Sequence, residues 1–220
     1  MAKQNSKTPK KVSAKKISTS TSSATKSIGK NIKIIAKKTI TPKKETAIDK
    51  NTFPIGKFQY DENEAKKQTD KYISEIKELP KLLKKVYKKI NKENKNYTYR
   101  DGAWTIEQII HHLADSHMSA FFRFKLTLTE GNPTIKPYSQ NLFAETADVF
   151  ASDIKSSIRI IKGVHERWTV LLKNMTENDF KNYYIHPEYK RDFSLQHALA
   201  LYAWHGKHHV EQIKVALNRK

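Results

Sequence analysis

The sequence predicts an all-α fold, a four-helix bundle preceded by a disordered basic tail. Three observations carry that expectation. Four segments repeat apolar residues at spacings of three and four, and no convincing strand pair accompanies them. The first 44 residues contain 13 Lys but no acid, no Arg and no aromatic residue. The 220-residue chain is 37% hydrophobic, enough for one core, and has nine His but no Cys. Disulfides, iron–sulfur clusters, Cys-ligated zinc and a thiol nucleophile are thereby excluded, and any metal must be held by His, Asp or Glu. The longest wholly apolar runs are a few residues, too short to cross a bilayer.

The net charge of +20 invites a nucleic-acid reading until it is partitioned. Residues 1–44 hold +13 of it, leaving +7 for residues 45–220. The natural division is a Lys/Ser/Thr-rich tail over residues 1–50 and one folded domain over residues 51–220. Three roles fit such a tail. It is a solvated extension, an electrostatic tether to nucleic acid or anionic surfaces, or an organelle transit peptide, against which the lack of Arg counts. The expected location is the cytoplasm, with organelle import through the tail as the alternative.

The elements follow in order. Phe53-Pro54-Ile55-Gly56 begins an ordered entry segment. Asn63–Asn91 is helical, with Tyr72, Ile73, Ile76, Leu79, Leu83 and Val86 in phase, and Pro80 makes it a kinked helix or two short ones. The second helix opens at Thr105, whose capping box closes with Gln108, and stops at Gly131-Asn132-Pro133. A long connection, Pro133–Ala151, leads to a third helix over Ser152–Met175. Thr176–Arg191 reads as irregular, and Ser194 caps a fourth helix.

Histidines gather on two of these helices. His111, His112 and His117 lie on the second; His205, His208 and His209 lie on the fourth. His205 and His209 are four apart and share one helix face, the spacing with which a helix offers two imidazoles to one metal. A third ligand from the second helix would complete a His₃ set with open positions, the catalytic pattern for zinc. Spacing alone does not choose between His111 and His112. Adjacent histidines point in different directions, so at least one of each pair has another role. Di-iron bundle, H-E-x-x-H, P-loop and dinucleotide motifs are absent.

Four runs carry a family resemblance: Phe53–Phe58 (FPIGKF), Trp104–Met118 (WTIEQIIHHLADSHM), Arg123–Glu130 (RFKLTLTE) and Trp204–His209 (WHGKHH). Together they resemble the YfiT branch of the DinB-like superfamily, over about residues 51–220. The resemblance implies a four-helix bundle, often a homodimer, holding one divalent ion. Its first ligand is the His eight residues after the helix-opening Trp, which is His112, and the H-x-x-x-H pair matches His205 and His209. The implied activity is metal-dependent hydrolysis by an activated water, with transfer of a low-molecular-weight thiol such as bacillithiol as the alternative. Imidazole ligands suit zinc, nickel, copper and iron, and affinity does not single one out; the expected ion is zinc, with nickel as the alternative. Asp115 and Glu211 are candidates to orient the ligand rings, Arg123 to bind an anionic substrate group or form a surface ion pair, and His208 and His117 to shuttle protons. Two readings of another class are a metal-stabilised binding bundle without turnover and nucleic-acid association through the tail.

Overall fold

Three of the four long helices start where a polar side chain caps the first turn. A computed structural model of the chain describes residues 49–219, so the expectation of a disordered tail lies outside the described residues except at its last two positions. The order is α1 (Glu62–Lys67), α2 (Thr69–Tyr87), α3 (Ile106–Glu130), α4 (Gln140–Phe143), α5 (Ala147–Ala151), α6 (Ile154–Lys173), α7 (Glu177–Lys181), β1 (Tyr183–His186), β2 (Arg191–Ser194) and α8 (Leu195–Asn218). Thr105 and Gln108 form both halves of the capping box on α3. Asp153 caps α6, and Ser194 caps α8 by accepting from the His197 N–H at 3.1 Å. Gly131, at φ 64°, ends α3.

The bundle consists of α2, α3, α6 and α8. Helix α2 packs against α6 and α8, and so does α3, which places α2 and α3 across a diagonal although they are consecutive long helices. Long connections allow this order: residues 88–105, 131–153 and 174–194 each give room to cross the end of the bundle. No helix among the described residues is long and apolar enough to cross a membrane.

Three details differ from the sequence reading. The first helical segment breaks at Gln68, not at Pro80, because the Thr69 hydroxyl bonds back to the carbonyls of Lys66 and Ala65 and competes with the helix ladder. Pro80 lies inside α2, and its missing N–H removes one backbone bond, to the carbonyl of Ile76. The stretch read as irregular contains an antiparallel hairpin, with Tyr184 opposite Phe193 and their buried rings stacked 5.7 Å apart. Strands of four residues offer too short an alternation to recognise, and a lone hairpin has no stability of its own. This one is held from outside: the Leu195 N–H at the start of α8 donates to the Asn182 carbonyl, and Ile185 accepts from the Ile135 N–H and donates to the Pro133 carbonyl in the loop after α3.

Two apolar clusters form the core. One gathers Ile73, Ile76, Phe124, Trp168, Leu199 and Tyr202; the other gathers Leu79, Leu83, Ile109, Leu113, Ile161 and Ile213. Along every long helix the change from one cluster to the other falls at a polar position: after Ile76 on α2, at His117 on α3, at His165 on α6 and at His205 on α8. The bundle therefore carries a layer of imidazoles across its middle, and all of its polar atoms need partners.

Candidate metal centre

Helix α3 contributes His112 to this layer, and α8 contributes His205 and His209 one turn apart. One ring nitrogen of each lies within 4.8 Å of the other two. The His112 and His205 Nε2 atoms are 3.2 Å apart, and those of His205 and His209 are 3.1 Å apart. Two nitrogens each about 2.0–2.1 Å from one zinc ion stand about 2.9–3.4 Å apart at octahedral or tetrahedral angles, so both separations fit a shared ion.

Protonation states favour the same chemistry. Burial pushes the His112 imidazole down to about 4. His205 and His209 lie well below the ordinary histidine value, through burial first and then the neighbouring imidazoles. All three are neutral at pH 7 and offer lone pairs. The orientation of His209 is fixed as well. Gln212 donates its amide N–H to the Thr52 carbonyl at 3.0 Å, which turns its Oε1 toward His209 Nδ1 at 2.8 Å. An amide oxygen only accepts, so His209 carries its proton on Nδ1 and presents a bare Nε2 to the other two rings. The entry segment thus reaches the site: Thr52 holds Gln212, and Phe53 lies 5.9 Å from the His208 ring.

The Trp104 indole packs against His112 at 4.7 Å and walls one side. His112 and His209 are buried, whereas His205 is partly exposed. His111 turns the other way and meets Ser157 Oγ on α6 at 2.8 Å, so the structure places His112 in the trio and His111 outside it.

A family model described as the DinB superfamily matches residues 75–213. YfiT of Bacillus subtilis (strain 168), named as a candidate metal-dependent hydrolase, is 40% identical over 162 residues, which cover 74% of this chain and 91% of that one. The chain belongs to the DinB superfamily.

A relative from Oceanobacillus iheyensis bearing the same kind of name is 42% identical over 168 residues, 76% of this chain and 96% of its own. A solved structure of YfiT, described as a probable metal-dependent hydrolase with an unusual four-helix bundle topology, superposes with a TM-score of 0.72 at 39% identity, covering 76% of this chain and 95% of that one. In this chain α2 and α3 lie across a diagonal, which departs from a simple up-and-down order.

Other residues singled out in this DinB-superfamily sequence lie outside the trio. The ring nitrogens facing away from the trio on His205 and His209 meet His117 and Gln212, not Asp115 or Glu211. Glu211 pairs with Lys214, and Asp115 is half-buried, its carboxyl raised by burial and then by Asp148. Arg123 lies eleven residues beyond His112, about 16 Å along α3. It has no carboxylate at ion-pair distance among the described residues and sits over the Tyr138 ring at 6.0 Å, so the surface ion pair does not form. His208 stacks on Trp204 with ring centroids 4.5 Å apart. Two contributors were not foreseen: Gln212, which meets His209, and His165, which meets His117 at 3.0 Å. His165 had a signal, because it stands four residues after Ile161 and three before Trp168, on the inward stripe of α6.

Proposed function

We propose that this chain is a metal-dependent hydrolase whose single divalent ion is held by His112, His205 and His209, with zinc the preferred ion and nickel the second. The observation that carries the reading is the convergence of three neutral imidazoles at 3.1–3.2 Å spacing, with the lone pair of His209 turned inward by Gln212. The names of its relatives support the reaction class. A divalent ion bound there supplies an acidified water and a Lewis acid for an ester or amide carbonyl of a small-molecule substrate. The chain's own residues hold and orient it. Three uncharged ligands leave the full positive charge of the ion at the site, and among the described residues no carboxylate hydrogen-bonds to the ligand rings to offset it. Trp104 shields the His112 side from water, and the partly exposed His205 marks the side of substrate approach. The functional unit is residues 51–220, and residues 1–50 are an appendage to it.

Metal analysis of protein produced with zinc and purified without chelator tests the site. The expected result is about one ion per chain in wild type and a large loss in His112→Ala. A panel of esters and amides, assayed with and without a low-molecular-weight thiol, tests the reaction. Hydrolysis that disappears with chelator and returns with zinc supports it. Turnover only in the presence of thiol reassigns the site to thiol transfer, and wild-type protein without bound metal refutes the reading.

A further inference from the structure

The third ligand, His205, is oriented by a chain of side chains that begins at a proline on another helix. Pro80 has no N–H to give to the carbonyl of Ile76, four residues earlier on α2, and that carbonyl meets Nδ1 of His165 on α6 instead. His165 Nε2 lies 3.0 Å from His117 Nδ1, and His117 Nε2 lies 3.1 Å from His205 Nδ1. Ile76, His165 and His117 are held inside the bundle; His117 is fully buried and His165 is 1% exposed.

Elementary donor counting then leaves one arrangement. A carbonyl oxygen only accepts, so His165 donates from Nδ1 and has a bare Nε2. That nitrogen needs a donor, which makes His117 protonated on Nδ1 and bare on Nε2. The same step repeats at His205, whose proton sits on Nδ1 and whose Nε2 is bare. His205 Nε2 and His209 Nε2 therefore face each other as two lone pairs 3.1 Å apart, an arrangement that repels without a cation and binds one readily.

We infer that Pro80, Ile76, His165 and His117 form a tautomer lock that sets His205 as an Nε2 ligand. His117 and His165 are thus positioning residues, and the proton-shuttle role considered for His117 is not required. The outer partners of metal-bound histidines usually are carboxylates, carbonyls or waters; here two successive imidazoles transmit the polarity of one carbonyl from α2 through α6 and α3 to α8. No proton needs to leave the chain, because the lock acts through which nitrogen bears the hydrogen.

The inference rests on the metal reading for its use, and its test separates the two. Long-range ¹H–¹⁵N correlation spectra of the chelator-treated full-length protein report the tautomer of each imidazole without any metal. His165, His117 and His205 are all expected to carry the hydrogen on Nδ1, and an Nε2–H form of any of them in wild type overturns the lock. Zinc affinity, measured by competition with a chromophoric chelator, gives the second readout. His117→Phe fills the space without an acceptor and should weaken binding about 10–100-fold. His117→Gln keeps an acceptor toward His205 and should stay within a few-fold of wild type. A role in packing alone predicts the opposite order and would refute the proposal, as would wild-type affinity in folded His117→Phe. If that variant does not fold, His165→Phe decides: it removes the acceptor for the His117 Nδ1–H and should produce mixed tautomers at His117, and an unchanged His117 spectrum overturns the lock. Wild type that binds no zinc refutes the metal reading, while the spectra still decide the lock.

Discussion

Gly206, between His205 and Lys207 on α8, packs against Leu79 of α2. A Cβ added there would lie 2.6 Å from Leu79 Cδ2, 3.0 Å from Cδ1 and 3.3 Å from Cγ. Three atoms of one branched side chain are crowded at once, so rotating its end does not clear the contact, and Leu79 is itself 2% exposed within the core. In an open helix interior Gly→Ala gains about 1 kcal/mol. Here overpacking costs about 1–3 kcal/mol, so Gly206→Ala should destabilise by roughly 0–2 kcal/mol. Leu79→Ala alone should cost about 2–5 kcal/mol through lost contacts and the cavity left behind. In that background the clash is gone, and the new methyl recovers the helix gain and fills part of the space. The pair should therefore couple by about 1–3 kcal/mol in the stabilising direction. Urea denaturation of chelator-treated wild type, both single variants and the double variant measures this without metal linkage. Gly206→Ala more stable than wild type by about 1 kcal/mol, or effects that add within about 0.5 kcal/mol, would show that the two helices do not meet as described.

Thr105→Ala removes the cap of α3 and should cost about 1 kcal/mol in the same denaturation assay, while zinc stoichiometry stays unchanged. His197 is buried among Phe58, Tyr60 and Phe193, and burial followed by Arg191 lowers it to about 4. Because its folded value lies below the unfolded 6.5, the unfolded chain takes up the proton first; stability is highest above pH 6.5 and falls as pH drops toward 4. This group contributes a slope of up to about 1.4 kcal/mol per pH unit in that window. Chelator-treated His197→Phe should lose stability less steeply than wild type between pH 7 and pH 5, and parallel slopes would refute the assignment. Deleting residues 1–44 should leave zinc binding and the urea midpoint unchanged and abolish any salt-dependent binding to DNA; a lowered midpoint would mean that the tail belongs to the domain.

How much of this was legible depends on the range of the interaction. Caps at Thr105 and Ser194 are read within three residues, and their helices begin where those signals stand. The His205–His209 pair follows from helical spacing alone. The break at Gln68 and the passage through Pro80 were not legible, because a proline's effect depends on whether its orphaned carbonyl finds another donor, here His165 from a helix 89 residues along the chain. The hairpin was illegible for a similar reason: its strands are stable only against the rings and backbone that cover them.

The sequence by itself determined that the fold is helical, that any metal must rest on His, Asp or Glu, and that +13 of the +20 charge lies in residues 1–44. Those are properties of composition and local period. Only the tertiary structure decided which of two adjacent histidines turns inward, why Gln212 matters, and how a proline on α2 reaches a ring on α8. Hydrogen-bond donors and acceptors are assigned by what lies across the bundle, and helical period carries no information about the partner on the facing helix.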